Sequence, residues 1–543
     1  MRTVPNMVNI DLWQSRGLGT LAADQFTRGS VLYPGDADEL GRDTPAIVMV
    51  STGHTLTWGE LNDRSQRLAR FWFDQGLRRG DHVALFMENV SEFLEVCWAA
   101  DRSGMFFTPI NSHLTAPEVA YILGDCGATS LVTTRAKADV AREAMSGIAA
   151  VESALCVGGA PGFLDYADTL AAAGAEPLVD ERAGSPMLYS SGTTGVPKGV
   201  VRPLPDRHVR DVAGIGLAIQ LGFGGGRGMR YLSTAPLYHS APLTFALGVH
   251  RLGGTVYVME RFDAEGALRA LGEFDITHSQ WVPTMFSRML ALPESTRHAY
   301  DMSAHQYAIH GAAPCPVPLK KAMIDWWGPI LWEYYAGTEG PGSTMVGSEE
   351  WLARPGTVGR CAGGVIHILD DEFRELPAGQ AGTIYFETAT ASGFQYHGDV
   401  AKTASTRTPQ GWATMGDIGY LDEDGFLYLT DRKAFMIISG GVNVYPQEAE
   451  NVLSTHSKVA DCAVFGIPNA DMGEVVHAVV QPAPGVTPDP ALVDELLAFC
   501  REHLATIKCP RRIDFEEELP RLQTGKLAKA QVRDRYVAQY SNS

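Results

Sequence analysis

Between two short apolar runs the chain carries Tyr189-Ser190-Ser191-Gly192-Thr193-Thr194-Gly195-Val196-Pro197-Lys198-Gly199-Val200. Glycines let successive backbone N–H groups turn toward one centre, and the Ser and Thr hydroxyls add donors beside them. Lys198 brings a positive charge, so the run has the chemistry of a phosphate cradle. It is not a Walker A pattern, because Lys198 lies between Pro197 and Gly199 and no Gly-Lys-Ser/Thr run occurs. Pro186-Met187-Leu188 before it and Gly199-Val200-Val201 after it predict a loop between two buried strands. A flexible Ser/Gly linker has similar composition, but apolar flanks on both sides do not suit a solvated one.

The rest of the chain supplies the fold for such a loop. Residues 1 to about 45 read as an irregular covering segment. Thr57 is a predicted N-cap, with Glu60 three residues on as its capping-box partner, for an amphipathic helix reaching Gly76. Leu61, Leu68 and Phe71 are spaced for its inner face. His82–Met87 reads as a buried strand, followed by a helix from Phe93 to Ala100 and a strand at Ala128–Thr133. That alternation predicts an α/β fold with helices packed on sheets. At 543 residues, more than one domain is expected.

Further along, single motifs are open to two readings each. His239, at the mouth of the apolar run Leu243–Val249, could border a pocket or be a structural histidine. Gly311-Ala312-Ala313 ends a strand in small residues, which suits a close turn or a flat ring against the backbone. Glu339 in Tyr334-Tyr335-Ala336-Gly337-Thr338-Glu339 could hold a hard cation or sit exposed on a loop tip. Asp417 could be a turn residue or an acceptor for hydroxyl pairs, and Lys526 a solvated charge or a mobile one.

Taken in order, these motifs resemble those of the adenylate-forming superfamily, and in particular acyl-CoA synthetases of the fatty-acid ligase type. The likeness spans almost the whole chain. It implies an α/β fold with a large N-terminal domain of packed sheets and helices plus a distorted β-barrel subdomain, residues 1–431. A small mobile α+β domain, residues 432–543, would follow and carry the catalytic lysine. The resemblance gives Ser190, Ser191, Gly192, Thr193, Thr194, Gly195 and Lys198 to the ATP phosphates. It gives Gly311, Ala312, Ala313 and Tyr335 to adenine, Asp417 to ribose and Arg432 to ribose or phosphate. Thr338 would bond the α-phosphate, Glu339 would hold Mg²⁺, and Lys526 would bridge the substrate carboxylate and the α-phosphate. Gly440 and Gly441 would admit the pantetheine arm of CoA. His239, Ala241, Trp281, Ala312 and Gly337 would line the acyl pocket. The chain departs from the family at Ala434-Phe435, where a polar hinge residue is usual, and at Met415, inserted in the Thr-Gly-Asp element.

The function implied is ATP-dependent ligation of a carboxylic acid to CoA through an acyl-adenylate, with release of pyrophosphate. The absence of an acid between Tyr238 and Val249 argues against an α-amino acid substrate, whose buried ammonium would need a counter-charge. Loading of a carrier-protein pantetheine is the alternative; the chain stops shortly after Lys526 without a fused carrier domain, which favours free CoA. A regulatory nucleotide binder would be expected to have lost Lys526 or Glu339, and both are present. A luciferase-like oxygenase shares the adenylation step, but no residue singles it out. A net charge of −19 speaks against nucleic acid as a partner. The eight cysteines are scattered with no C-x-x-C pair, Asp11 and Arg16 interrupt the N-terminus, and no apolar run reaches transmembrane length. A cytoplasmic protein is therefore expected, with no integral membrane segment, and a homodimer on base rates.

Overall fold

The structure is a computed structural model and describes residues 31–148, 150–190, 197–211, 226–388, 393–432, 435–439, 442–469, 472–521 and 527–541. Two compact units divide the chain. One runs through Trp281 and adds Arg288–Ile309 and Gly393–Thr403; the other holds Val282–Ser287, His310–Ser392 and everything from Ala404.

The first unit is built on parallel sheet. Six strands lie in the order Leu164–Asp165, Ser153–Val157, Ala128–Thr134, His82–Phe86, Phe106–Ile110 and Ser185–Pro186, and every neighbouring pair is parallel. Parallel pairing needs crossovers, and the helices Glu92–Arg102 and Ala116–Cys126 supply them. Burial on both faces explains why His82–Phe86 reads as a continuous apolar run. A second parallel set joins Pro45–Met49 to Thr255–Val258, then to Arg230–Ser233 and His278–Trp281.

The helix expected after Thr57 spans Trp58–Asp74 with the capping box formed: the Thr57 N–H donates to Glu60 Oε2 at 2.9 Å and the Glu60 N–H to Thr57 Oγ1 at 3.2 Å. Its inner face holds Leu61, Leu68 and Trp72, whereas Phe71 is only half-buried. The segment read as irregular contains one regular piece. Pro34–Asp36 and Ala37–Leu40 form short helical turns, started by the Tyr33 N–H donating to Asp36 Oδ2 at 3.1 Å.

The second unit is largely antiparallel. Leu331–Ala336 pairs with Ser343–Gly347, and Gly364–Leu369, Gly382–Thr388, Asp417–Leu421 and Leu427–Arg432 form a four-stranded sheet. Near the C-terminus, Val459–Asn469 and Gly473–Pro482 make a long antiparallel pair, with Arg512–Phe515 alongside in parallel. The helices Pro446–Leu453, Pro490–His503 and Lys529–Ser541 belong to this α+β part, where Val464, Val476, Leu492 and Leu496 are buried together.

All eight cysteines are free thiols, and burial pushes the ionisation of each upward, Cys126 and Cys361 to about 11 and Cys500 to about 12. Among the described residues no helix is long and apolar enough to cross a membrane.

Candidate active site

The strands that flank the Ser/Thr/Gly run pair with each other. Leu188–Ser190 and Lys198–Val201 pair antiparallel, with Ser190 opposite Lys198, and Gln395–Tyr396 extends the sheet beyond Val200. A Cβ on Gly199 would lie 2.3 Å from Met187 Cε and 3.2 Å from Tyr189 Cζ, so the end of the Met187 side chain would have to move aside. The helix Ala116–Cys126 fastens both arms. Tyr189 donates its hydroxyl to Asp125 Oδ2 at 2.5 Å, and Tyr121 donates to the Pro197 carbonyl at 3.2 Å. Burial foremost, then the Asp125 hydrogen bond, keeps the Tyr189 phenol protonated far above its usual range.

Lys198 is not left facing solvent alone. Its Nζ lies 3.0 Å from Asp399 Oδ2, and the Tyr396 ring is 6.0 Å away. The Lys402 backbone N–H, and after it Lys198, hold the Asp399 carboxyl below the ordinary range. Sequence reading missed Asp399 because 201 residues separate the partners.

His239 is the N-cap residue of the helix Ser240–Arg251, and its ring meets that of Tyr238 edge-on at 4.5 Å. On the helix that follows, Leu243 is buried and Ala241 half-buried. At the far end His250 is fully enclosed. Its Nδ1 accepts from Trp98 Nε1 at 2.9 Å and its Nε2 lies 3.1 Å from the Ala46 carbonyl. Trp281 is buried and donates its indole N–H to Ser279 Oγ at 2.6 Å.

In the second unit the small-residue segment is a tight turn. A Cβ on Gly311 would fall 2.7 Å from the Tyr334 carbonyl oxygen, and Ala312 adopts a left-handed φ of 69°. Two residues before Tyr335, Glu333 accepts from Lys320 Nζ at 2.6 Å in a buried ion pair. Burial raises the Glu333 carboxyl and lowers the Lys320 ammonium, and each partner's charge opposes that shift.

Tyr335 then donates its hydroxyl to Asp417 Oδ2 at 2.6 Å, so the ring expected at adenine and the carboxylate expected at ribose are brought together. Thr338 and Glu339 form the centre of a turn closed by the Gly340 N–H to the Gly337 carbonyl at 3.0 Å. Met415 fills the space over Gly337, where a Cβ would lie 2.4 Å from its sulfur and 3.1 Å from Glu339 Oε2. Asp417 is buried and opposite Arg432 in the sheet register. Ser191, Gly192, Thr193, Thr194, Gly195, Gly440, Gly441 and Lys526 lie outside the described residues, as do the side chains of Ser190 and Arg432.

Among the described residues no cluster of three or more His, Cys, Asp or Glu could cage a metal ion. Magnesium does not need one: it commonly uses one or two carboxylates, with substrate phosphates and water completing the octahedron. Glu339, a single carboxylate next to Thr338 in that turn, fits that sparse donor set.

The profile of the AMP-binding enzyme family matches residues 36–393, and that of the AMP-binding enzyme C-terminal domain matches residues 448–526. The chain belongs to the AMP-binding enzyme family. Within it, the chain is of the adenylate-forming, acyl-CoA synthetase type. It is 33% identical to a fatty acid–[acyl-carrier-protein] ligase, ScoC, of Streptomyces coeruleorubidus, over 91% of this chain and 93% of that protein. It is 32% identical to a feruloyl-CoA synthase of an Amycolatopsis species, over 91% and 97% respectively. The crystal structure of ATP-bound MatB from Rhodopseudomonas palustris superposes with a TM-score of 0.81 at 26% identity, covering 94% of this chain and all of that one.

Proposed function

We propose that this AMP-binding enzyme activates a carboxylic acid as its acyl-adenylate and transfers the acyl group to the thiol of CoA. A carboxylate resists nucleophiles because its carbon is electron-rich and oxide leaves poorly. Attack of the carboxylate oxygen on the α-phosphorus of ATP forms the acyl–phosphate bond and expels pyrophosphate. AMP is then a good leaving group when the thiolate attacks the acyl carbon. The observation that carries the reading is the Tyr335–Asp417 hydrogen bond beside the Thr338-Glu339 turn, in a chain of this family.

In the first step an anion meets a polyanion, so cations held where charge develops dominate the barrier. Lys198 with Ser190–Gly195 would hold the β- and γ-phosphates, Thr338 the α-phosphate, and Asp417, Tyr335 and Gly311–Ala313 the nucleoside. Arg432 would reach the ribose or a phosphate. Glu339 would hold Mg²⁺, which when bound neutralises phosphate charge. Lys526 would bridge the attacking carboxylate and the α-phosphate. His239, Ala241, Trp281, Ala312 and Gly337 would line the acyl pocket, and the lack of an acid after Tyr238 favours a substrate without an ammonium group. The domain boundary would fall at 431/432. Rotation of the second domain would withdraw Lys526 after pyrophosphate leaves and bring Gly440-Gly441 to the site for CoA. A homodimer in the cytoplasm completes the reading.

Pyrophosphate release, followed over a panel of medium-chain, aromatic and fused-ring acids with ATP and magnesium, tests this directly. The expected result is release with at least one acid and thioester formation on adding CoA. Release with no acid, and no exchange of labelled pyrophosphate into ATP, would overturn it. The likeness to ScoC favours a second reading, in which a carrier-protein pantetheine takes the acyl group. Competition between CoA and a holo carrier protein for the same acyl-adenylate separates the two.

A further inference from the structure

His367, in the strand Gly364–Leu369, is held from both sides by carboxylates. Its Nδ1 is 2.5 Å from Glu375 Oε1 and its Nε2 is 3.0 Å from Glu387 Oε2. Glu387 belongs to the neighbouring strand, two residues beyond Tyr385, the residue opposite His367, and so on the same face. Each carboxylate can accept a hydrogen bond from the ring nitrogen that faces it. That ring lies flat on the indole of Trp412, with centroids 3.6 Å apart and planes 3° from parallel.

Trp412 begins a track of five further residues that ends at Asp417, and the track is fastened along its length. Trp412 N–H donates to Thr408 Oγ1 at 3.2 Å, and Ala413 and Phe386 exchange backbone bonds at 2.8 and 3.1 Å. The Thr414 N–H donates to the Thr406 carbonyl at 2.9 Å. Met415 packs over Gly337, and Asp417 receives the Tyr335 hydroxyl. The backbone from Trp412 to Thr414 is thus bonded to neighbouring segments, and the same short track leads on to the Tyr335–Asp417 pair.

We propose that His367 is a positioning residue for the nucleotide: braced by Glu375 and Glu387, it presses on Trp412 and thereby sets Asp417 against Tyr335 and Met415 against Gly337. This rests on the ligase reading, in which Asp417 and Tyr335 face the nucleoside.

Calorimetric binding of AMP to the full chain tests the proposal without needing the acid substrate, alongside steady-state kinetics in ATP with whichever acid is turned over. His367→Ala and the double variant Glu375→Gln/Glu387→Gln are each expected to weaken AMP by about fivefold or more, the scale of one lost aromatic stacking contact. The KM for ATP should rise in parallel, with the KM for the acid and kcat within about twofold. His367→Arg, a planar cation able to lie on the indole and meet both carboxylates, should recover most of the loss. In a Trp412→Phe background, His367→Ala should cost markedly less than in the native chain. Unchanged AMP affinity across the series in folded protein would overturn the proposal. So would a rise in both KM values with a lowered unfolding midpoint and no rescue by Arg, which is the pattern of a purely structural residue. An unchanged AMP affinity in Asp417→Ala would overturn the route through Asp417. Should no acid release pyrophosphate while His367→Ala still weakens AMP and Arg still rescues it, the positioning role stands and the ligase reading fails.

Discussion

Lys198 and Asp399 illustrate what a single contact changes. A lysine reserved for phosphate would be an unpaired cation, yet here its ammonium already rests on a carboxylate. In the role proposed for Lys198, incoming triphosphate would have to compete with Asp399 for the same charge. Both side chains are partly exposed, at 26% and 39%, so solvent and salt weaken their pairing and the exchange is easy. Asp399→Asn is accordingly expected to tighten inhibition by pyrophosphate by a few-fold, more at low salt than at high, whereas Lys198→Ala should weaken it and erase the effect of the Asn substitution. Inhibition constants at two ionic strengths check this. An equal effect of Asp399→Asn in the presence and absence of Lys198 would sink it. Such pairs are where sequence reading stops. The Thr57–Glu60 capping box was legible because it closes within one helical turn, and Gly199, Gly311 and Gly337 could be picked out as small residues. Asp399, or His367 under Trp412, could not, since local periodicity carries no information on partners brought together by sheet register.

At the scale of elements, the helix Ser240–Arg251 joins a candidate pocket residue, His239, at one end to a buried anchor, His250, at the other. His250 must stay neutral, because one ring nitrogen accepts from Trp98 and only the other donates, to Ala46. Burial lowers it from 6.5 to about 4. The unfolded chain therefore binds the extra proton between pH 6.5 and about 4 while the folded one does not, and stability rises with pH across that window. The contribution is complete above pH 6.5, is lost as pH falls toward 4, and amounts to about 3 kcal/mol. His278 and His82, lowered to about 4, and His305, lowered to about 3, act in the same direction. Denaturant unfolding at pH 7.5 and pH 5 should show the drop, and His250→Gln, which can accept from Trp98 and donate to Ala46 without titrating, should show a smaller one. An identical pH dependence in the variant would remove His250 from the account. Elements themselves were well foreshadowed. The expected strands at His82 and Ala128 and the helix through Phe93 all formed within a few residues of their predicted bounds, since each has a strong apolar pattern. The helical turns at Pro34–Leu40 did not stand out, being too short for any period to register.

For the molecule as a whole, the proposed cycle divides one active site between two jobs. Lys526→Ala is expected to suppress adenylate formation by at least 100-fold, the roughly 3 kcal/mol typical of a lost charge-stabilising donor. It should leave conversion of supplied acyl-AMP to thioester within a few-fold of native, and assay of the two half-reactions separately checks the split. Equal loss of both would refute the moving-lysine role. The order of motifs along the chain made family and reaction readable, because each motif lies within about ten residues. Contacts such as Tyr335–Asp417 and Lys198–Asp399 join residues far apart in the chain and had to come from the fold.

The guarded thiols have a consequence for an enzyme that makes an acylating agent. A thiolate attacks the acyl carbon of acyl-AMP readily and expels AMP, and every cysteine in this protein is pushed toward the unreactive thiol form by its burial. Left with acid and ATP but no acceptor, the enzyme should keep its own mass: intact-protein spectra after prolonged incubation are expected to be free of acyl adducts on sulfur, so that hydrolysis and the intended acceptor are the only sinks for its activated product.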